Sequence, residues 1–218
     1  AYDQDSFRRV MGTVRMPAIL GGGPADAGDM FLDVPIPTTQ CRSKDIAIVC
    51  PLAPERWGPF SLDTGIGGSE EAVIRLSRAF SNRGHTVTVY GSGWVGIDEV
   101  MLDAQKRAWS VEYKSAADYT SSDVVIHWRA PELFSDPRFE GTWKALWLHD
   151  SCDPERVEPV SDAIDTLWCI SEYHAGLYSK FPQVYAGRNG IDPWEFDWVE
   201  QEPNLTKNPI KFVYISTP

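Results

Sequence analysis

The chain has 218 residues, room for one full domain with additions or for two small ones. Twenty Lys and Arg against 31 Asp and Glu leave a formal charge of −11, which argues against a surface built to hold nucleic acid or an anionic membrane. An apolar share of 43% suits a globular fold, no run approaches the roughly eighteen apolar residues of a membrane span, and Cys41, Cys50, Cys152 and Cys169 form no Cys-x-x-Cys pair that would point to zinc or a disulfide scaffold.

Residues 1–43 stand apart. GGGP at 21–24 and VPIPTT at 34–39 are turn and extended signals with no helical period across them, so the segment reads as an extension or linker. GGG at 21–23 lacks the preceding strand and the following helix that a phosphate loop requires. The opening AYDQDSFRRV also lacks the basic-then-apolar pattern of a secretory signal, and with the cysteine usage this makes a cytoplasmic location the expectation.

From Lys44 strands and helices alternate. IAIVC at 46–50 is a short apolar run suited to a buried parallel strand. A Pro- and Gly-rich loop leads to SEEAVIRLSRAFSNRG at 69–84, where Val73, Leu76 and Phe80 share a helical face with Ala72 and Ala79 beside them. Ser69 suits the N-cap, Glu70 and Glu71 suit the positive end of the helix dipole, and Gly84 suits the stop. Strands are expected at 85–91, 109–113, 123–128, 144–149, 165–171 and 183–187. A further helix is expected at 171–181, capped by Ser171, with Tyr173, Leu177 and Phe181 on one face. This alternation predicts an α/β fold: a Rossmann-like parallel sheet with helices on both faces. Ligands of such sheets bind beyond the carboxyl ends of the strands, so residues just after each strand are the candidates for chemistry.

Four groups stand at such positions. In GIGGSEE at 65–71, adjacent glycines let backbone N–H groups approach an anion at a helix N-terminus, although neither a Walker loop nor a dinucleotide fingerprint is present; the alternative is a tight turn before a capped helix. His149-Asp150 follows KALWL, where an imidazole can serve as acid, base or hydrogen-bond donor; the alternative is a structural histidine. The same argument covers His127-Trp128-Arg129. RNGID at 188–192 is a sharp turn leaving the sheet. His85 begins a strand at the opposite end and reads as structural, and His174 reads as surface or packing. Most of the nine tryptophans are expected in the core or at domain contacts, with a few free to stack on a sugar.

The order of these pieces resembles the retaining glycosyltransferases of the GT-B fold, in the large group known as family 4 or group 1. The resemblance covers about residues 44–218. It rests on GIGGSEEAVIRLSRAFSNRGHTVTVYG at 65–91, LWLHD at 146–150, CISEYHAGLYSKF at 169–181, NGID at 189–192 followed by Phe196, and KFVYISTP at 211–218. It implies an acceptor-side Rossmann-like domain over 44–190. An interdomain linker and the first strand of a C-terminal nucleotide-sugar domain would then occupy 191–218, with the rest of that domain supplied in cis or in trans.

The implied reaction moves a sugar from a nucleotide-diphosphate sugar to an acceptor hydroxyl with retention of configuration. By resemblance, the amides of Gly67, Gly68 and Ser69 would bind the donor phosphates, and His149 with Asp150 would be catalytic. Glu70, Trp128, Arg129, Arg188 and Asn189 would line the acceptor side or the cleft. No metal and no cofactor beyond the nucleotide sugar is implied, and no Asp-x-Asp motif is present between residues 44 and 190. The other expectation from the same pattern is a non-catalytic binding or structural module that reuses the half-fold. A nucleotide-dependent oxidoreductase half is disfavoured by the glycine spacing.

Overall fold

The structure, a computed structural model, describes residues 43–51, 55–102, 107–139 and 143–190. Apart from Ser43, the expected extension over 1–43 and the expected linker and strand over 191–218 lie outside the described residues.

Eight strands form one sheet: β1 (Asp45–Val49), β2 (Thr86–Tyr90), β3 (Gly96–Leu102), β4 (Arg107–Lys114), β5 (Val124–Trp128), β6 (Trp143–Leu148), β7 (Thr166–Cys169) and β8 (Val184–Ala186). Their order across the sheet is β3-β4-β2-β1-β5-β6-β7-β8. Every pair is parallel except β3 with β4, which run antiparallel from Gly96↔Tyr113 to Leu102↔Arg107. With the antiparallel β3 set aside, the chain steps outward from β1 through β2 and β4. It then returns to β5 and steps outward the other way. That reversal is the arrangement of doubly wound α/β folds, and the gap between the carboxyl ends of β1 and β5 is its switch point.

The central strands are buried on both faces, as near-continuous apolar runs dictate. β5 is buried at all five positions, and β1 at all but its first. The register puts Trp128, Trp147, Trp168 and Tyr185 in one row across β5, β6, β7 and β8. The Trp147 and Trp168 rings stack at 4.6 Å. On the opposite face Leu146, Leu148, Leu167 and Cys169 join Phe134, Val157, Ile164, Tyr178 and Phe181 in a single apolar cluster.

One long helix is present among the described residues. Helix α2 (Gly68–Asn82) packs on β2 and β4 and follows a one-turn helix, α1 (Ser61–Thr64). The remaining helical segments, α3 (Pro154–Val157), α4 (Glu172–Gly176) and several 3-10 turns, are short. The expected strand–helix alternation is therefore carried mostly by single turns after β5.

Three local expectations are corrected. The N-cap of α2 is Gly67, without a side-chain cap bond, and Ser69 lies inside the first turn. The buried residues of α2 are Ala72, Val73, Ile74, Ser77 and Phe80; Ala72, Val73 and Phe80 are as expected, whereas Ala79 is exposed, Leu76 only half-buried, and Ile74 and Ser77 complete the face in their place. In the 171–181 segment Ser171 does cap, accepting from the His174 N–H at 3.0 Å. The buried face there is His174, Tyr178 and Phe181, whereas Tyr173 is 80% exposed. Gly84, at φ 89°, follows the helix end in the left-handed turn expected of a glycine stop.

Candidate functional site

The loop after β1 delivers the chain to Gly67, where α2 begins beside the switch point. Gly67 has φ −65°, so its backbone does not require glycine, and what a larger residue would displace is the end of the flexible Glu70 side chain. A Cβ at Gly67 would lie 2.4 Å from Glu70 Oε2, because the Glu70 side chain folds back across the first turn of α2. Ser69 Oγ donates to the same Oε2 at 2.9 Å. Nothing lies within 4 Å of a Cβ built at Gly68, which is exposed.

Across the switch point, β5 ends at Trp128 and the next residue is Arg129. Its N–H still pairs with Trp147 O at 2.9 Å, but its φ is 66°, in the left-handed region. The guanidinium thereby reaches both neighbouring elements. Nη1 lies 3.4 Å from Ser69 Oγ and 3.6 Å from Glu70 Oε1, and Nη2 makes an ion pair with Asp150 Oδ2. Cζ sits 5.0 Å above the Trp128 ring. One arginine thus joins the glycine corner at 67–70 to the His149-Asp150 pair beyond β6.

His149 follows β6 on the same face as Trp147, with ring centroids 4.4 Å apart, and stands 6.0 Å from Trp128. Its Nε2 is buried without a hydrogen-bond partner. Burial, reinforced by the Arg129 charge and only partly opposed by Asp150, lowers its pKa to about 4, so the imidazole is neutral near pH 7. The Asp150 carboxylate is 61% exposed. Its carbonyl is 3.1 Å from His174 Nε2, while His174 Nδ1 faces the Ile170 N–H at 3.4 Å. With Nδ1 accepting, Nε2 carries the proton and donates to Asp150 O. His174, buried rather than at the surface, therefore braces the loop after β6 against α4.

The other sequence candidates divide. Trp128 is 2% exposed and lies beneath Arg129 and against Trp57, at 5.8 Å, so it supports the site rather than presenting a free ring. Trp57, Trp147 and Trp168 are equally buried, and none of these four indoles is free to stack on a sugar. His127 lies within β5 and is fully buried; it faces Phe134 at 4.2 Å on the other side of the sheet, so it does not belong to the strand-end group. His85 sits where β2 begins and accepts from the Lys44 N–H at 3.2 Å, a structural role. Arg188 and Asn189 follow β8, two strands beyond β6, or about 10 Å at ordinary strand spacing. Arg188 is exposed, and Asn189 Oδ1 is buried without a partner.

Sequence reasoning missed the centrality of Arg129 and the brace from His174. A basic residue directly after a strand apolar but for His127 was the available signal for the first; only the Ser171 cap three residues earlier hinted at the second. Among the described residues no group of three or more His, Cys, Asp or Glu side chains is placed to hold a metal ion, and Cys50, Cys152 and Cys169 are free thiols. No described helix is long and apolar enough to cross a membrane. In comparisons with known proteins, no family model and no curated protein matches the chain.

Proposed function

We propose that the chain is the acceptor-side lobe of a retaining glycosyltransferase of the GT-B type, which moves a sugar from a nucleotide-diphosphate sugar to an acceptor hydroxyl. One observation supports this reading above the rest. The glycine corner at 67–70 and the His149-Asp150 pair, far apart in sequence, meet at Arg129 on the carboxyl edge of the sheet, beside its switch point.

In the proposed reaction, negative charge grows on the leaving diphosphate as the bond to the sugar breaks. Amides at Gly67, Gly68 and Ser69, at the positive end of the 15-residue α2, are suited to receive that charge. His149, neutral at working pH, is suited to meet the sugar as an uncharged hydrogen-bonding group rather than to give a proton to the leaving group. Asp150, held by Arg129, faces solvent where an acceptor hydroxyl would arrive. Arg188 and Asn189 border the cleft towards a C-terminal lobe supplied in cis or in trans, which would hold the nucleotide. The proposed chemistry calls on no metal, and the proposed setting is the cytoplasm.

The test is turnover by the full-length protein against a panel of nucleotide sugars. His149→Ala should cut the rate at least about tenfold, or ~1.4 kcal/mol of barrier, with circular dichroism unchanged. Near-normal turnover by that variant would remove His149 from the reaction, and failure of every nucleotide sugar either to turn over or to raise the melting temperature would remove glycosyl transfer.

A further inference from the structure

Among the described non-glycine residues, Arg129 is the one with a positive φ. Glycine adopts that backbone freely and arginine adopts it at a cost, so the position keeps a side chain that its backbone disfavours. The side chain ends 33% exposed, its Cζ 5.0 Å over the Trp128 ring, with Asp150 on Nη2 and Glu70 on Nη1. The two partners are unequal. Asp150 makes the close pair, whereas Glu70 Oε1 stands off at 3.6 Å at the end of a flexible side chain. The other Glu70 oxygen lies over Gly67, so a carboxylate spans from the first turn of α2 to the guanidinium. His149 Nε2, buried and unpartnered, belongs to the same strand-end group.

We propose that Arg129 is a specificity-determining residue that binds a diphosphate group, with Glu70 as the internal anion the diphosphate replaces. Asp150 keeps the guanidinium fork aimed from one side while Glu70 swings away from the other. The planar fork matches two phosphate oxygens at once, which a single ammonium cannot do. This inference rests on the glycosyl-transfer reading for the origin of the diphosphate; the binding itself is measurable without any transfer.

The experiment titrates the full chain with inorganic pyrophosphate and, separately, orthophosphate, by calorimetry and by backbone NMR, for wild type, Glu70→Gln, Arg129→Lys and Arg129→Gly. Removing the competing carboxylate in Glu70→Gln should tighten pyrophosphate binding at least about threefold, and Arg129→Gly should weaken it at least about tenfold. Arg129→Lys should fall between, and Arg129→Gly should melt no lower than Arg129→Lys, because glycine suits the backbone. Unchanged binding in Arg129→Gly, no gain in Glu70→Gln, orthophosphate bound as tightly as pyrophosphate, or no binding by any of the four proteins would each overturn the assignment. Absence of sugar transfer alongside the expected pyrophosphate series would count against the enzyme reading alone.

Discussion

His127 carries a sharp prediction about acid stability. It is fully buried in β5, against Phe134, and burial with the Lys144 charge holds its pKa at about 3, Asp136 opposing only weakly. In the unfolded chain an imidazole titrates near 6.5. Between these values the unfolded state binds a proton that the folded state refuses, so stability rises with pH and is lost as pH falls through that window. Over the fall from neutral pH to about pH 4.5, this one group should remove about 3 kcal/mol, a large share of the ~5–15 kcal/mol that holds a typical domain. The measurement is urea unfolding of wild type and His127→Leu at both pH values. The variant starts weaker or equal at pH 7, but its loss on acidification should be smaller than that of wild type by about 3 kcal/mol. His149 titrates in both proteins and cancels in the difference. Parallel losses in the two proteins would show that burial does not keep this imidazole neutral.

Two further substitutions test how the sheet is tied together. Gly91 has φ 89°, and a Cβ there would lie 2.2 Å from the Cys50 carbonyl oxygen, so Gly91→Ala should cost more than about 1 kcal/mol in urea titration, and a cost near zero would mean the β1–β2 ends are not held this closely. Arg78 grips Asp98 with Nε–Oδ2 at 2.6 Å and Nη2–Oδ1 at 3.1 Å, and Asp98 is 7% exposed, so Asp98→Asn should lower stability by roughly 2 kcal/mol, the partial exposure of Arg78 moderating the loss. A loss below about 0.5 kcal/mol would class that pair with ordinary surface ion pairs.

Much of the fold was legible because the buried parallel strands announce themselves. IAIVC, DVVIHW and KALWLH are short apolar runs whose length alone excludes helices, and each became a strand within a residue or two. β3 was not legible, since GIDEVML mixes charge with apolar residues and gains its strand character from pairing with β4 and from the Asp98–Arg78 link. Ala72, Val73 and Phe80 on the buried face of α2 were legible, and Ser77 was missed for a related reason. Ser77 looks polar, yet its hydroxyl bonds back to Ile74 O at 2.7 Å and so can be buried. At the site, strand-end position drew attention to His149, Asp150 and the glycine corner. Position also promoted His127, because a sequence does not say which residue is the last in a strand, and a one-residue shift moves a side chain to the other face. The left-handed turn at Arg129 has no compositional signature, since such turns ordinarily advertise themselves through Gly, Asn or Asp.

The hairpin that ends the sheet beyond β2 also bears on how the rim of the sheet keeps its register. At the other rim β8 offers only three residues, too few to template a neighbour. Among the described residues β3 is the long outer strand at the opposite rim, with Val95 and Ile97 exposed beside it. Asp98, on the same strand, points inward to Arg78. A slip of one position in the β3–β4 pairing would turn that carboxylate away from Arg78 and strand it, so a single buried ion pair holds this rim to one register.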